Sequence, residues 1–326
     1  MSLLSLRRLF VLFSLCLGAV LLLPAANARA QNVFVVDDNG DQPDQNAGDG
    51  TCQTSGGVCT LRAALEEANA FANVDAGTPD SVAFSINTSG TISPATPLPE
   101  IADPVVIDGT TAASGSLPRL RIDATPGDGL VISAGNSTVR GLQIVRSSGN
   151  GITLTGAGGT VIENCQLGDF LSGGSPAGYG NGGDGILITG GSTQNRIGDS
   201  SDAGARNVIG GNGGNGIRID GGDPGGTNNR IYGNYIGVAS DGETDLGNTG
   251  HGVLLENETS FNLLGTATTG DLGNVISGNG GSGVKVSGTF GNAASSNTSG
   301  NSILNNHIGL NDAGDSAVPN DEHGVE

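Results

Sequence analysis

The chain of 326 residues holds three histidines, and one of them lies in Gly250-His251-Gly252, immediately before the apolar alternation "VLLE". A histidine at the mouth of a strand can pass a proton in general acid–base catalysis. Asp184 stands at the matching point before "ILI", and Lys285 at the centre of "VKV". An acid, an imidazole and an ammonium therefore recur along one pattern. Cleaving a glycosidic bond with inversion asks for more: a carboxylic acid to protonate the leaving oxygen and a carboxylate to activate water, about 6.5–9.5 Å apart. Carboxylates on neighbouring strands, separated by about 4.8 Å, could serve.

The Gly-His-Gly resembles the active-site motif of polygalacturonase-type glycoside hydrolases, whose residues follow the order N-T-D, D-D, G-H-G, R-I-K on successive turns of the chain. Here "NGGDG" supplies Asp184, but the D-D place reads Gly214 and Asn215 and contains no acid. The R-I-K place holds Lys285 without an arginine. A histidine lacking its carboxylate pair cannot run this mechanism. The slot before each leading glycine holds Asp184, Asn215, His251, Ser282 and His323 in turn, a polar turn position that varies freely in chemistry. His251 is accordingly expected to be a turn residue; His251, Asp184 and Lys285 are the catalytic candidates of the alternative reading. A lyase would need calcium-binding carboxylates beside a basic proton acceptor, and no such cluster stands on adjacent strand segments.

A binding stripe is a further expectation. The middle positions of the strands carry Leu187, Arg218, Leu254, Lys285 and Glu326, so Arg218 and Lys285 recur on every second turn of the chain, about 9.6 Å apart. With His251 and His323 beside them, they form a candidate surface for a polysaccharide or cell-surface ligand. The absence of Trp and the presence of only three Tyr (Tyr179, Tyr232, Tyr235) weigh against a strong sugar-stacking platform.

What must position these residues is legible as a repeat. Glycine is 59 of the 326 residues, and Ile, Val and Leu fall at regular intervals, the pattern of many short strands joined by glycine turns. Gly-[Ile/Val/Leu]-x-[Ile/Val/Leu] opens units at 129, 151, 185, 216, 252 and 283, and "GVE" follows at 324; from 185 onward the intervals are 31, 36, 31 and 41 residues. "NRIGDSSDAGARNVIGGN" (195–212) aligns with "NLLGTATTGDLGNVISGN" (262–279), and "NRIYGNYIG" (229–237) with "NSILNNHIG" (301–309). The extra length of the last unit lies in "TFGNAASSNTSG", as expected when strands stack and loops project. Ile217 and Ile219 are two apart and should both point inward onto Val253 and Leu255 of the next coil. The recurring Asn of N-x-[Ile/Leu/Val] suits a turn, where its amide bonds backbone, tolerates left-handed φ and forms ladders between coils. A leucine-rich horseshoe would need helical segments that these glycine-rich loops cannot supply.

Ahead of the repeats, Leu61, Leu65, Ala68 and Phe71 fall near helical spacing, with Thr60 placed to cap and Glu66 and Glu67 expected to face solvent. Such a helix would cover the open end of the coil stack. Cys52 and Cys59 close a short loop, expected as a disulfide worth roughly 2–3 kcal/mol, and Cys165 is expected to be a buried thiol. Asp37, Asp38 and Asp41, within "DDNGD", offer oxygen ligands for a structural calcium ion without the twelve-residue EF-hand pattern. No other cofactor is expected.

Residues 1–30 read as a signal segment: basic Arg7 and Arg8, an apolar stretch over 9–23, and Ala28-Arg29-Ala30 as the cleavage site. Cleavage after Ala30 takes the net charge from −19 to about −22, which makes nucleic acid and anionic membrane poor partners. No later segment is apolar enough to span a bilayer.

"DGTC" followed by "CTLRAALEEAN" resembles the CSLREA domain at the start of exported bacterial β-helix proteins, departing from it at Thr60 and Ala63. The segment over 81–109 and the N-x-I-x-G-N coils resemble the rest of such proteins. The resemblance implies a right-handed coil and a secreted or surface-attached protein, and it implies no reaction. The expected organisation is a signal peptide (1–30), a cap with one helix (31–80) and coils of a right-handed parallel β-helix (81–326), ending three residues into a new unit as if truncated. The expected role is an exported or cell-surface scaffold with carbohydrate-binding or adhesive use. A polysaccharide-degrading enzyme using the groove around His251 is the alternative.

Overall fold

A strand of three or four residues cannot bury an apolar face alone; it does so by stacking on copies of itself. In the computed structural model, which describes residues 31–75, 77–87, 90–114, 119–169, 178–222, 226–268, 270–288 and 298–326, short strands pair only in parallel and only with their counterparts one coil away. Residues 1–30, expected as a signal segment, and most of the "TFGNAASSNTSG" stretch lie outside the described residues. Three sheets result, with nine, eight and six strands, so that each complete coil gives one strand to each sheet. The coil that starts the first long repeat pair, for example, contributes Ile186–Thr189, Arg196–Ile197 and Val208–Gly210. This is a parallel β-helix, coiled in the right-handed sense that parallel crossovers adopt.

The inward positions form continuous aliphatic columns. Ile186, Ile217, Val253 and Val284 are register partners, as are Ile188, Ile219, Leu255 and Val286, and all but the last are buried. Ile197, Ile231 and Leu264 make the matching column of the second strand position. Each fully buried aliphatic side chain contributes about 1.5–3 kcal/mol, and the stack repeats that contribution on every coil.

Turns between strands are held by asparagine. Among the described residues three ladders run along the stack, one at each of three turns. In the first, Asn195 donates its backbone N–H and its amide to Asn229 Oδ1 (3.0 and 2.9 Å), and Asn229 does the same to Asn262 (2.9 and 3.0 Å). Asn207, Asn234, Asn274 and Asn306 form the second, and Asn181, Asn212, Asn248, Asn279 and Asn320 the third. Cys165 occupies the first slot of the second ladder, its N–H donating to Asn207 Oδ1 at 2.9 Å, and burial pushes its thiol up to about 11.

The ladder asparagines do not themselves take left-handed φ. The residue before each rung of the first ladder, which Asn262 continues to Asn301, does: Gln194 (57°), Asn228 (59°), Phe261 (57°) and Gly300 (69°). The chain reverses one residue early, which leaves the rung free to aim its amide along the stack.

The N-terminal segment enters the same architecture. Val33–Val36 is the edge strand of the nine-stranded sheet, paired in parallel with Asp80–Phe84. The helix Leu61–Ala70 packs on these two strands through Leu61, Ala64, Leu65 and Ala68, and Thr60 Oγ1 accepts the Ala63 N–H at 3.1 Å as its N-cap. Glu67 departs from expectation: it is fully buried instead of facing solvent. The loop before the helix folds back over it, and the carboxylate accepts the Gly48 N–H (2.5 Å) and the Gly50 N–H. Glu66, partly buried, accepts the Asp44 N–H at 2.7 Å. Both acids therefore organise the cap loop, which would otherwise carry unpaired backbone donors. Cys52 and Cys59 are joined as a disulfide within it.

Candidate functional site

The column that contains His251 is a fourth inter-coil ladder. Asp184 N–H donates to Asn150 Oδ1 (2.8 Å), Asn215 N–H to Asp184 Oδ1 (2.6 Å), His251 N–H to Asn215 Oδ1 (2.9 Å) and Ser282 N–H to His251 Nδ1 (2.9 Å). Each side chain accepts the backbone donor of its successor, so any residue with an acceptor at that reach can stand there. Accepting at Nδ1 places the neutral imidazole proton on Nε2. Asp184, which also accepts the Asn215 amide at 2.9 Å, is buried in this ladder.

Both glycines of the Gly-His-Gly have steric causes in the same stack. A Cβ on Gly250 would lie 2.6 Å from Asn215 Oδ1, the rung below, and one on Gly281 would lie 2.5 Å from His251 Nδ1. A Cβ on Gly252 would collide with Ile276 Cγ2 and lie 2.6 Å from the Gly283 carbonyl oxygen, and one on Gly216 would meet Ile236 Cγ2 and the Gly252 carbonyl oxygen in the same way. Gly-x-Gly is thus the signature of close coil contact on both sides of a rung, and the same pair of glycines flanks Asp184, Asn215 and Ser282.

The outward stripe has the expected register, with Leu187, Arg218, Leu254 and Lys285 side by side on adjacent coils. Its charges are spent within the protein. Arg218 bridges Glu256 (2.6 Å) and Asp220 (3.0 Å), and Lys285 bonds Glu326 (3.0 Å). The Glu256 and Asp220 charges hold the Arg218 guanidinium above its ordinary range, against the opposing effect of burial. His323 is exposed, one residue before the glycine that follows Ser282 in the stack. His251 Nδ1 is 4.0 Å from a Glu322 carboxylate oxygen that also accepts from Ser282 Oγ. His251, Arg218, Lys285 and His323 therefore share one end of the third sheet, and its carboxylates serve as counterions.

In the cap, Asp37 Oδ1 accepts the Cys59 N–H (2.8 Å), Asp38 Oδ1 the Gly40 N–H (2.7 Å), and Asp41 forms a two-point ion pair with Arg62 (2.9 and 3.1 Å). Arg62 also reaches the Thr96 and Pro97 carbonyls, tying the cap to the first coils. Among the described residues no group of three or more His, Cys, Asp or Glu side chains could hold a metal ion.

Two arrangements have no counterpart in the motif reading. On the second sheet Arg206 stacks over the Tyr235 ring (3.8 Å to its centre) and faces Asp312 (3.6 Å); burial, opposed by Arg206, pushes the phenol up to about 12, which keeps it protonated. Arg206 and Asp312 line a cleft with His307 and Asp271. On the first sheet, Gln194, Arg196, Asn228 and Arg230 line an open cleft of about 440 Å³. The repeated "QNRI" and "NNRI" were the signal for it, hidden because Arg196 and Arg230 sit on a strand with no histidine or glycine motif beside it. Among the described residues no helix is long and apolar enough to cross a membrane.

No family model and no curated protein sequence matches this chain. Among solved structures, a crystal structure of pectate lyase Pel9A is similar at 14% sequence identity and a TM-score of 0.40, over 89% of this chain and 82% of that one. That likeness concerns the path of the backbone and assigns no residue a role.

Proposed function

We propose that the chain is an exported or cell-surface β-helix scaffold that performs no chemistry at His251. The reading is carried by one observation: the only motif that suggests catalysis is a rung, with His251 Nδ1 occupied by the Ser282 N–H and Asp184 buried in the same ladder. A general base must reach its proton with a free lone pair, and His251 uses its lone pair between coils. Export is supported by the basic, apolar and small-residue sequence of residues 1–30 and by the disulfide of the cap, a bond that persists in oxidising compartments.

Incubation of the protein with acidic and neutral polysaccharides, followed by size-exclusion chromatography of the polymer, tests the reading. Polymer length is expected to stay unchanged. A shift to smaller size that disappears in His251→Ala would establish the polysaccharide-degrading alternative in its place.

A further inference from the structure

The chain carries a strong acidic excess, and among the described residues all but one of the basic side chains are held by partners within the protein. Arg62, Arg140, Arg146, Arg196, Arg206, Arg218 and Lys285 each face a carboxylate, and Arg119 and Arg121 bond amide or carbonyl oxygens. Arg230 is the exception: it is exposed, and among the described residues its guanidinium has no bonded partner. It lies in the cleft described above, next to Arg196 in register and between the amide side chains of Gln194 and Asn228. The cleft volume, about 440 Å³, is within the range of small-ligand sites.

The second observation lies one coil further along. Phe261 holds the turn position next to Asn228, since Thr227 and Ser260 pair as neighbours. Its φ of 57° is a left-handed value that bulky side chains rarely adopt and that Asn or Gly tolerates. Asn136 and Asn228 fill equivalent turns at almost the same angle. Phe261 is also 65% exposed, so burial does not compensate for that backbone. One side of its ring rests where a Gly300 side chain would be, at 2.7 Å from an added Cβ, which fixes the ring against the next coil and leaves the rest to solvent. Neither packing nor backbone preference accounts for a left-handed residue that presents an aromatic ring to water, one coil from an arginine with no bonded partner among the described residues.

We propose that this surface of the first sheet binds a uronate-containing oligosaccharide lying along the coil axis. Phe261 stacks on the apolar face of one pyranose, Arg230 takes a carboxylate in the two-point geometry guanidinium offers, and Gln194 and Asn228 bond hydroxyls. Arg196, held by Glu163 and Asp199, is fixed at the far side of the cleft. The site is on a different sheet from Arg218 and Lys285, and it extends the scaffold reading by giving it a ligand class.

Titration calorimetry of the full chain with an oligogalacturonate, with a neutral gluco-oligosaccharide as comparison, tests this, and the recovered sugar is sized afterwards. Binding of the acidic sugar is expected, weakened roughly tenfold by Arg230→Gln and by a similar factor by Phe261→Asn. The neutral sugar should bind far more weakly. Phe261→Asn places in that turn the residue that Asn228 supplies one coil earlier, so it should unfold at a denaturant concentration no lower than the parent. Loss of binding with retained stability separates a ligand contact from a packing role. No binding of the acidic sugar, equal binding of both sugars, or variants that bind like the parent would each overturn the proposal. Shortening of the recovered sugar would instead contradict the non-catalytic reading while leaving the site in place.

Discussion

Gly216→Ala is expected to lower the unfolding free energy by about 3 kcal/mol or more, from the addition of one methyl group. The methyl would stand 2.5 Å from Ile236 Cγ2 and 2.6 Å from the Gly252 carbonyl oxygen. Neither can withdraw. Ile236 is fully buried in the core, and the Gly252 carbonyl already accepts the Ile217 N–H at 2.9 Å. Moving it would break the pairing of Ile217–Asp220 with Val253–Glu256, and the displacement would pass to the next coil, where Gly252 meets Ile276 and Gly283 in the same way. Gly288→Ala is the internal comparison, because no atom lies within 4 Å of the added carbon; its effect should stay within about 0.5 kcal/mol. Urea titration followed by circular dichroism reads both. A Gly216→Ala midpoint equal to that of Gly288→Ala would mean that coil contact does not require these glycines.

Asn229→Leu should cost about 3–5 kcal/mol, since the substitution keeps the branched shape of the side chain and replaces its polar atoms with bulkier methyl groups that can neither donate nor accept. Asn195 would lose the acceptor for both its backbone N–H and its amide, Asn262 Oδ1 would lose the Asn229 amide, and the Ser192 carbonyl would lose a weak donor at 3.5 Å. Asn195, Asn229 and Asn262 are all buried, so water cannot replace those bonds without opening the stack. The same urea titration applies, and hydrogen exchange at the Asn195 backbone amide, which loses its acceptor, should accelerate along with it. A loss below about 1 kcal/mol would show that the ladder merely accompanies aliphatic packing.

The coil architecture was legible because one geometry is reused many times. Ile217 and Ile219 stack on Val253 and Leu255 as their spacing requires, and the N-x-[Ile/Leu/Val] asparagines do form ladders. What repetition could not reveal is where a single residue departs from its column. Glu67 has helical spacing that points outward, yet a loop some twenty residues earlier folds over it, a contact no local period encodes. In the first ladder the left-handed φ expected of the rung asparagine belongs instead to the residue before it, as at Asn228 before Asn229. Arg218 and Lys285 share a face as read, but the acids that neutralise them, Glu256 and Glu326, come from adjacent coils. Arg230 and Phe261 are set apart for the complementary reason: a guanidinium with no bonded partner among the described residues and an unfavourable backbone angle, neither of which is written in residue type.

The central claim is that His251 is a rung between coils, and equilibrium unfolding of His251→Asn beside His251→Ala tests it most directly. Asparagine stands one coil earlier at position 215, where its Oδ1 accepts the His251 N–H at 2.9 Å just as His251 Nδ1 accepts the Ser282 N–H. The account predicts that His251→Asn unfolds within about 0.5 kcal/mol of the parent, while His251→Ala, which leaves the Ser282 N–H without its acceptor, loses about 1–3 kcal/mol. Alanine as stable as histidine, or asparagine as harmful as alanine, would contradict the rung and return His251 to the catalytic candidates.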